Sequence, residues 1–384
     1  MRAFYSFPTR LGTPGIGTTA WHQVAGLAEH GVEVTVACAT CERQVPDGVR
    51  VIETLRIAGV KIPFRSLGLM RAVALHDRRA AQLLGRLRRE VDVVHCWPLG
   101  AERTLAMAQD LGLPSLLERP NAHTRFAFSA VEQACRELGI PIDKSSPHYP
   151  RRDRLAREER EYALAGGLLC PSAFVARSFL VEGLPQERVL RHRYGYDPTR
   201  FWPGEASQVE RPFTAGFVGR GEPRKGLHLA IRGWLGSSAA DSGRFVIAGA
   251  IEPAYREVLE PLMSHPSVEH YGHVSDPAAL MRDCDALVLP SLEEGSALVT
   301  YEARGSGCVL VVSDRTGAQC TPGIDALVHP AGDLEALTRD IACLAQSREK
   351  LTTMRAASLA GAHELTWSKA GAVLTEIYAG AGTR

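Results

Sequence analysis

Phe213-Thr214-Ala215-Gly216-Phe217-Val218-Gly219-Arg220-Gly221-Glu222-Pro223-Arg224-Lys225-Gly226 is the stretch on which the reading of this chain turns. Thr214 to Val218 is an apolar run of buried-strand length, Gly219 and Gly221 punctuate a tight turn, and Gly226 opens a helical pattern. Strand, glycine-rich turn and helix in that order are the unit of parallel α/β layering, with the turn at the carboxyl end of a strand. Arg220 and Lys225 flank the turn. A guanidinium forks two phosphate oxygens and an ammonium acts as a point charge, so the loop suits a diphosphate. The plainer alternative is a solvated loop with ordinary surface charge. Only five of the 44 basic residues are lysines, which gives Lys225 more weight than the arginines around it.

A second strand-like run, Ala286 to Leu289, leads to Glu294 and, after Gly295, to Glu302. Eight residues apart, the two acids fit a turn followed by a helix, with Glu294 in the turn and Glu302 pointing back toward the cleft. The amides of Ser296, Ala297 and Leu298 would be free donors at that helix start. A chance pair of surface acids is the alternative. Fixed positive charge beside acids suited to sugar and ribose hydroxyls most simply describes a site for a nucleotide-diphosphate sugar.

Outward from these elements, strand-like and helical runs alternate through both halves, which predicts an α/β protein with parallel sheets. Expected strands include Ala3 to Phe7, Glu33 to Cys38 and Asp92 to Cys96 early, then Arg244 to Ala248 and Val309 to Val312 late. Val189 to Pro212 reads as a linker, punctuated by Tyr194-Gly195-Tyr196-Asp197-Pro198. The boundary therefore falls near residue 195, giving residues 1–194 and 195–366, with a final amphipathic helix in 367–384. Facing halves of this kind would share one cleft. The arginine-rich stretch from Ala122 to Tyr162 breaks the rhythm and is too long for a simple connection, so it reads as an active-site insertion that selects the acceptor or as a partly mobile segment, the plainer alternative being a solvated charged helix over Arg151 to Arg160.

The bulk properties narrow the partners. Lys plus Arg total 44 against 43 acids, and this near-neutral balance argues against nucleic acid. No apolar run approaches the ~20 residues of a membrane span, leaving only peripheral membrane contact open. The expected setting is cytoplasmic, in keeping with nine scattered cysteines. Cys38 and Cys41 have redox spacing without the other marks of such a motif, and a structural origin is favoured.

Gly15-Ile16-Gly17-Thr18-Thr19-Ala20 follows the first strand and meets a loose dinucleotide fingerprint. It serves NAD binding, contact with a sugar or phosphate, or mere strand–helix packing. His123, after Arg119-Pro120-Asn121, is placed to meet a sugar hydroxyl or a departing phosphate, or else is structural.

These motifs resemble the family-four retaining glycosyltransferases, over nearly the whole chain. The matching features are Gly15 and Gly17, the loop Gly219-Arg220…Lys225-Gly226, the run from Glu294 to Glu302, and the tail Gly307-Cys308-Val309-Leu310-Val311-Val312-Ser313-Asp314. The resemblance implies a GT-B fold, two Rossmann-like domains facing a central cleft, with the last helix returning to the first domain. It implies transfer of a hexose from a UDP- or GDP-linked donor to a small-molecule or glycan hydroxyl, with retained configuration, no metal and no tightly bound cofactor. Arg220 and Lys225 would hold the diphosphate beside Gly219, Glu302 the ribose, Glu294 the hexose and Val274 the base, with Gly295, Ser296, Ala297 and Leu298 also on the donor. His123 would lie by the transferred sugar, and Arg119, Asn121 and Arg125 with it on the acceptor side. The sequence departs from the family at Ser296, Ala297, Arg304 and Val309. An NAD-dependent oxidoreductase and a silent sugar-nucleotide sensor are the rival readings.

Overall fold

The computed structural model describes residues 1–382 apart from 58–59, 63–66, 145, 147 and 205–210. Part of the expected linker, two positions of the arginine-rich stretch and the last two residues of the C-terminal segment thus lie outside the described residues.

The first strand, β1 (Arg2–Leu11), is apolar on both faces and sits in the middle of a parallel sheet. Phe4 packs into one core with the helices α2 (Leu69–Leu87), α3 (Glu102–Asp110) and α6 (Ala173–Val181). Ala3, Tyr5 and Phe7 point the other way, into a second core with α1 (Ile16–Glu29) and the C-terminal helix α13 (Trp367–Ala381). Burial on both faces is what a parallel sheet covered by helices demands. The sheet continues with β2 (Glu33–Cys41), β3 (Arg50–Glu53), β4 (Val93–Cys96), β5 (Ser115–Glu118), β6 (Gly167–Cys170) and β7 (Val189–Arg191). Its order is β3-β2-β1-β4-β5-β6-β7, every pair parallel. The start of the expected linker is therefore sheet: Val189–Arg191 is the edge strand.

The arginine-rich stretch folds as two helices, α4 (Thr124–Leu138) and α5 (Arg152–Leu164).

The second sheet has six strands: β8 (Thr214–Val218), β9 (Arg244–Ala248), β10 (Val268–Gly272), β11 (Ala286–Leu289), β12 (Val309–Ser313) and β13 (Ala326–His329). The order is β10-β9-β8-β11-β12-β13, again all parallel. Its helices are α7 (Leu227–Leu235), α8 (Pro253–Met263), α9 (Pro277–Arg282), α10 (Leu298–Gly305), α11 (Leu334–Gln346) and α12 (Arg348–Ala362).

Both sheets run outward one way and then reverse, between β1 and β4 in the first and between β8 and β11 in the second. Reversal opens a crevice at the strands' carboxyl ends, where open α/β sheets bind ligands. The chain crosses between sheets twice, side by side: Tyr196 N donates to Leu365 O at 3.0 Å, and Trp367 N to Tyr196 O at 3.2 Å. Beyond the crossing α13 lies on α1 at the closest spacing glycine permits, a Cβ on Gly26 falling 2.9 Å from the Cα of Gly371. Among the described residues no helix is long and apolar enough to cross a membrane.

Candidate active site

The loops after β8 and β11 meet at the reversal point of the second sheet. Gly226 has φ 70°, and a Cβ there would stand 2.4 Å from Pro290 O, so only glycine lets the two loops close up. Pro223–Lys225 form a single 3₁₀ turn. That turn buries Arg224, whose Nη1 donates to the Glu293 carbonyl at 2.8 Å. The guanidinium also pairs with the carboxylates of Glu222 at 3.0 Å, Glu293 at 3.4 Å and Glu294 at 3.3 Å. Lys225 Nζ lies 3.2 Å from Glu294 Oε2. Glu294 thus sits between two cations. Burial works to raise its pKa, but Arg224 and Lys225 outweigh burial and hold the carboxyl below its ordinary range. For the fully buried Glu293 burial prevails over Arg224, and its pKa goes up.

Glu302 lies within α10, its carbonyl accepting from Ser306 N at 2.9 Å, and its carboxylate has no hydrogen-bond or ion-pair partner among the described residues. Burial pushes its pKa up to about 7, with Arg200 opposing. Of the amides expected to be free at this helix start, that of Ala297 is taken, donating to Thr316 O at 3.3 Å. Ser296 Oγ bonds Tyr301 Oη at 2.7 Å and Gly317 O at 3.2 Å, so this hydroxyl is structural. Val274 follows β10 and packs partly buried against the second core. Arg220 is half-exposed on the rim, 3.1 Å from Glu252 and 3.7 Å from Asp143 of the α4–α5 connection.

The first half supplies a cavity of about 560 Å³ at the ends of β1, β4 and β5. Phe7, Ile16, Met70, Val73 and Trp97 form an apolar side, and Asn121, Lys144, His148, Arg151 and Arg154 a polar one. Ile16 also lines an adjoining cavity with Gly17. Gly15 caps α1 at φ 86°. A Cβ on Gly17 would lie 2.5 Å from Arg10 O, which accounts for that glycine by packing, without a dinucleotide. The halves touch where the β5 and β11 loops meet. A Cβ on Gly295 would fall 1.5 Å from Pro120 O, Ala122 N donates to Glu293 Oε1 at 3.3 Å, and Ser172 Oγ donates to Gly295 O at 2.5 Å.

Three residues expected on the acceptor side are otherwise engaged. Arg119 is buried, paired with Glu158 at 3.0 Å and stacked on the Tyr162 ring at 4.6 Å, because β5 ends under α5. Arg125 faces outward to Glu159 and Glu182 and lines a separate surface groove. His123 caps α4, its Nδ1 accepting from Arg125 N at 3.3 Å and its ring enclosed by Tyr162 and Phe179. Burial, then Arg119 and Arg125, lower its pKa to about 4, so the ring is neutral at pH 7 and only Nε2 is left for a ligand. Asn121 does line the cavity. Cys38 and Cys41 both have thiols raised by burial, which fits packing and not redox work.

Sequence reasoning passed over Arg224, Glu293 and His148. The first two are neighbours of Lys225 and Glu294 with the same charge, and nothing in the order of residues says which of each pair turns inward. His148 fell in the stretch read as an insertion.

Two family models match this chain: a glycosyl transferase 4-like domain over residues 14–195 and glycosyl transferases group 1 over residues 212–347. Together they span most of its length, and the chain belongs to this glycosyltransferase family. D-inositol 3-phosphate glycosyltransferase of Corynebacterium glutamicum is 24% identical, over 92% of this chain and 88% of its own. Among solved structures, sucrose-phosphate synthase from Thermosynechococcus elongatus matches with a TM-score of 0.70 at 15% identity, covering 99% of each chain. HepE of Anabaena in complex with UDP-glucose matches with a TM-score of 0.66 at 16% identity, covering 99% of this chain and 100% of its own. The two-sheet architecture is that of GT-B glycosyltransferases.

Proposed function

We propose that this glycosyltransferase moves a hexose from a UDP- or GDP-linked donor to a hydroxyl of a small molecule or glycan, retaining the anomeric configuration and needing no metal. One observation carries the proposal. Lys225 and Arg224 converge on Glu294 at the reversal point of the second sheet, across from an open cavity in the first half. Residues 195–366 are the donor lobe, and residues 1–194 are the acceptor lobe with the C-terminal helix packed back on it. The complexes of HepE with UDP and UDP-glucose support a nucleotide-diphosphate donor.

In this reading Arg220 and Lys225 hold the diphosphate, which approaches the backbone at Gly219. Glu302 takes the ribose diol, and Glu294 with Gly295 to Leu298 takes the hexose. Val274 lies by the base, Gly15 and Gly17 close over the donor from the other lobe, and His123 Nε2 meets the transferred sugar. The acceptor enters the first-half cavity past Asn121. A double displacement needs a carboxylate nucleophile at the anomeric carbon, and no carboxylate is among the described residues lining that cavity. A same-face displacement fits better. The acceptor oxygen bonds the anomeric carbon while the bond to the diphosphate breaks, its electron pair leaving on the phosphate oxygen, which takes the acceptor's proton. The cations already fixed beside that oxygen stabilise its growing charge, the task a metal performs elsewhere.

The test is NMR of sugar released from UDP- and GDP-linked α-hexoses, with water as acceptor and EDTA present. Retention gives the α-anomer first, at a rate indifferent to EDTA. First-formed β-anomer, or a rate restored only by divalent ions, contradicts the proposal.

A further inference from the structure

The first-half cavity and the narrow crevice under the phosphate loop share two lining residues, Ser146 and His148. His148 therefore stands where an acceptor coming through one lobe reaches the charged loop of the other. Its backbone amide is fixed, donating to Ser146 Oγ at 3.2 Å, and no hydrogen bond to its ring is found among the described residues. Asn121 lies in the same cavity, beside the contact with Gly295.

The surroundings fix the ring's chemistry. Cations bear on it from both lobes: Arg154 from α5, and Arg220, Arg224 and Lys225 from the loop after β8. Asp143, Glu222 and Glu252 line the crevice wall. Burial first, and then the four cations, lower the pKa of His148 well below its ordinary value. The ring is a neutral imidazole at pH 7, with one N–H and one bare nitrogen. His123 offers less: its Nδ1 is engaged and its ring is enclosed by aromatic neighbours.

We propose that His148 is the contact that orients the acceptor's attacking hydroxyl against the donor diphosphate, an assignment resting on the nucleotide-sugar reading above. The ring N–H bonds the attacking oxygen and leaves that oxygen's own O–H directed at the leaving phosphate. The oxygen then bonds the anomeric carbon, the carbon–phosphate-oxygen bond breaks with its electron pair on the diphosphate, and the hydroxyl proton follows to the same oxygen. His148 gains and loses no proton. Being uncharged, it does not compete with the cations for the diphosphate.

His148→Ala and His148→Gln are compared with wild type in two measurements: UDP and GDP binding by calorimetry, and release of glucose or mannose from their UDP- and GDP-linked forms. The alanine variant lowers kcat on the order of 100-fold, the usual cost of a misplaced reactant, with KM and nucleotide Kd within about threefold of wild type. Glutamine, which keeps a donor, restores part of the loss. Independently of turnover, the ring resonance missing from the His148→Gln spectrum shifts when nucleotide is added to wild type. An alanine variant with kcat near wild type overturns the proposal, as does a ring signal unmoved by a nucleotide that binds. A wild type that binds neither UDP nor GDP sinks the donor reading and this proposal with it, whereas normal binding with an inert His148 sinks this proposal alone.

Discussion

Lys225 and Glu294 come from different loops, yet their charged ends lie 3.2 Å apart. Each was legible because each follows an apolar strand run; their pairing was not, since it depends on the 3₁₀ turn at Pro223–Lys225. With Lys225 and Arg220 as the diphosphate anchor, Lys225→Ala weakens UDP binding about 10- to 100-fold, the worth of a charge-assisted hydrogen bond, and leaves uridine binding nearly unchanged. Calorimetry with both ligands checks this, and equal losses would place Lys225 elsewhere. Glu302 makes a pH-dependent prediction. Its folded pKa, about 7, lies above the ordinary value of 4.5. A raised carboxyl costs no stability below the unfolded value, costs more as pH climbs toward 7, and costs the full amount above 7. Glu302→Gln therefore raises Tm at pH 8 by roughly 4–7 °C and leaves it nearly unchanged at pH 4.5. The same substitution weakens ribonucleotide binding about tenfold. A Tm that falls at pH 8 contradicts the burial argument, and an unaltered Kd removes Glu302 from the ribose site.

At the scale of elements, the alternation of strands and helices was readable wherever burial is apolar. Val-Leu-Arg at 189–191 was too short to stand out from the linker it begins. Helix α5 was legible only as a solvated charged helix, and its burial escaped. Its buried residues are Glu158, Glu161 and Tyr162, so it has no apolar stripe to reveal it. The two acids are buried because they have work inside: Glu158 takes Arg119 and Arg154, and Glu161 caps the Leu99 and Ala101 amides at 2.8 and 3.0 Å. The same pairing removes Arg119 from the acceptor site. Breaking a buried ion pair costs about 3–5 kcal/mol, so Arg119→Ala lowers Tm by roughly 5–10 °C with little change in nucleotide Kd. Calorimetric unfolding measures this, and an unshifted Tm with altered acceptor use would return Arg119 to the acceptor side. Arg304, which departs from the family pattern, is explained in the same terms: it is buried against Asp325 at 2.7 Å.

Across the whole molecule, two halves without an evident sequence repeat share one order over six strands, the first adding β7 at its edge, and each reverses at its own ligand crevice. Architecture was legible from the recurring strand–turn–helix unit; the approach of the two crevices was not, because it rests on contacts that no local pattern encodes. Gly295 against Pro120, Ala122 against Glu293 and Arg220 against Asp143 all join residues remote in the chain. The paired crossings at Tyr196 and Leu365 to Trp367 set one place about which the halves could move. The measurement that bears most directly on the account is a crystal structure with a UDP- or GDP-linked hexose bound. Diphosphate oxygens are expected within about 3 Å of Lys225 Nζ and the ribose diol on Glu302, with the hexose turned toward His123 and the first-half cavity. A donor seated elsewhere, with Lys225 still engaged by Glu294 alone, would contradict it.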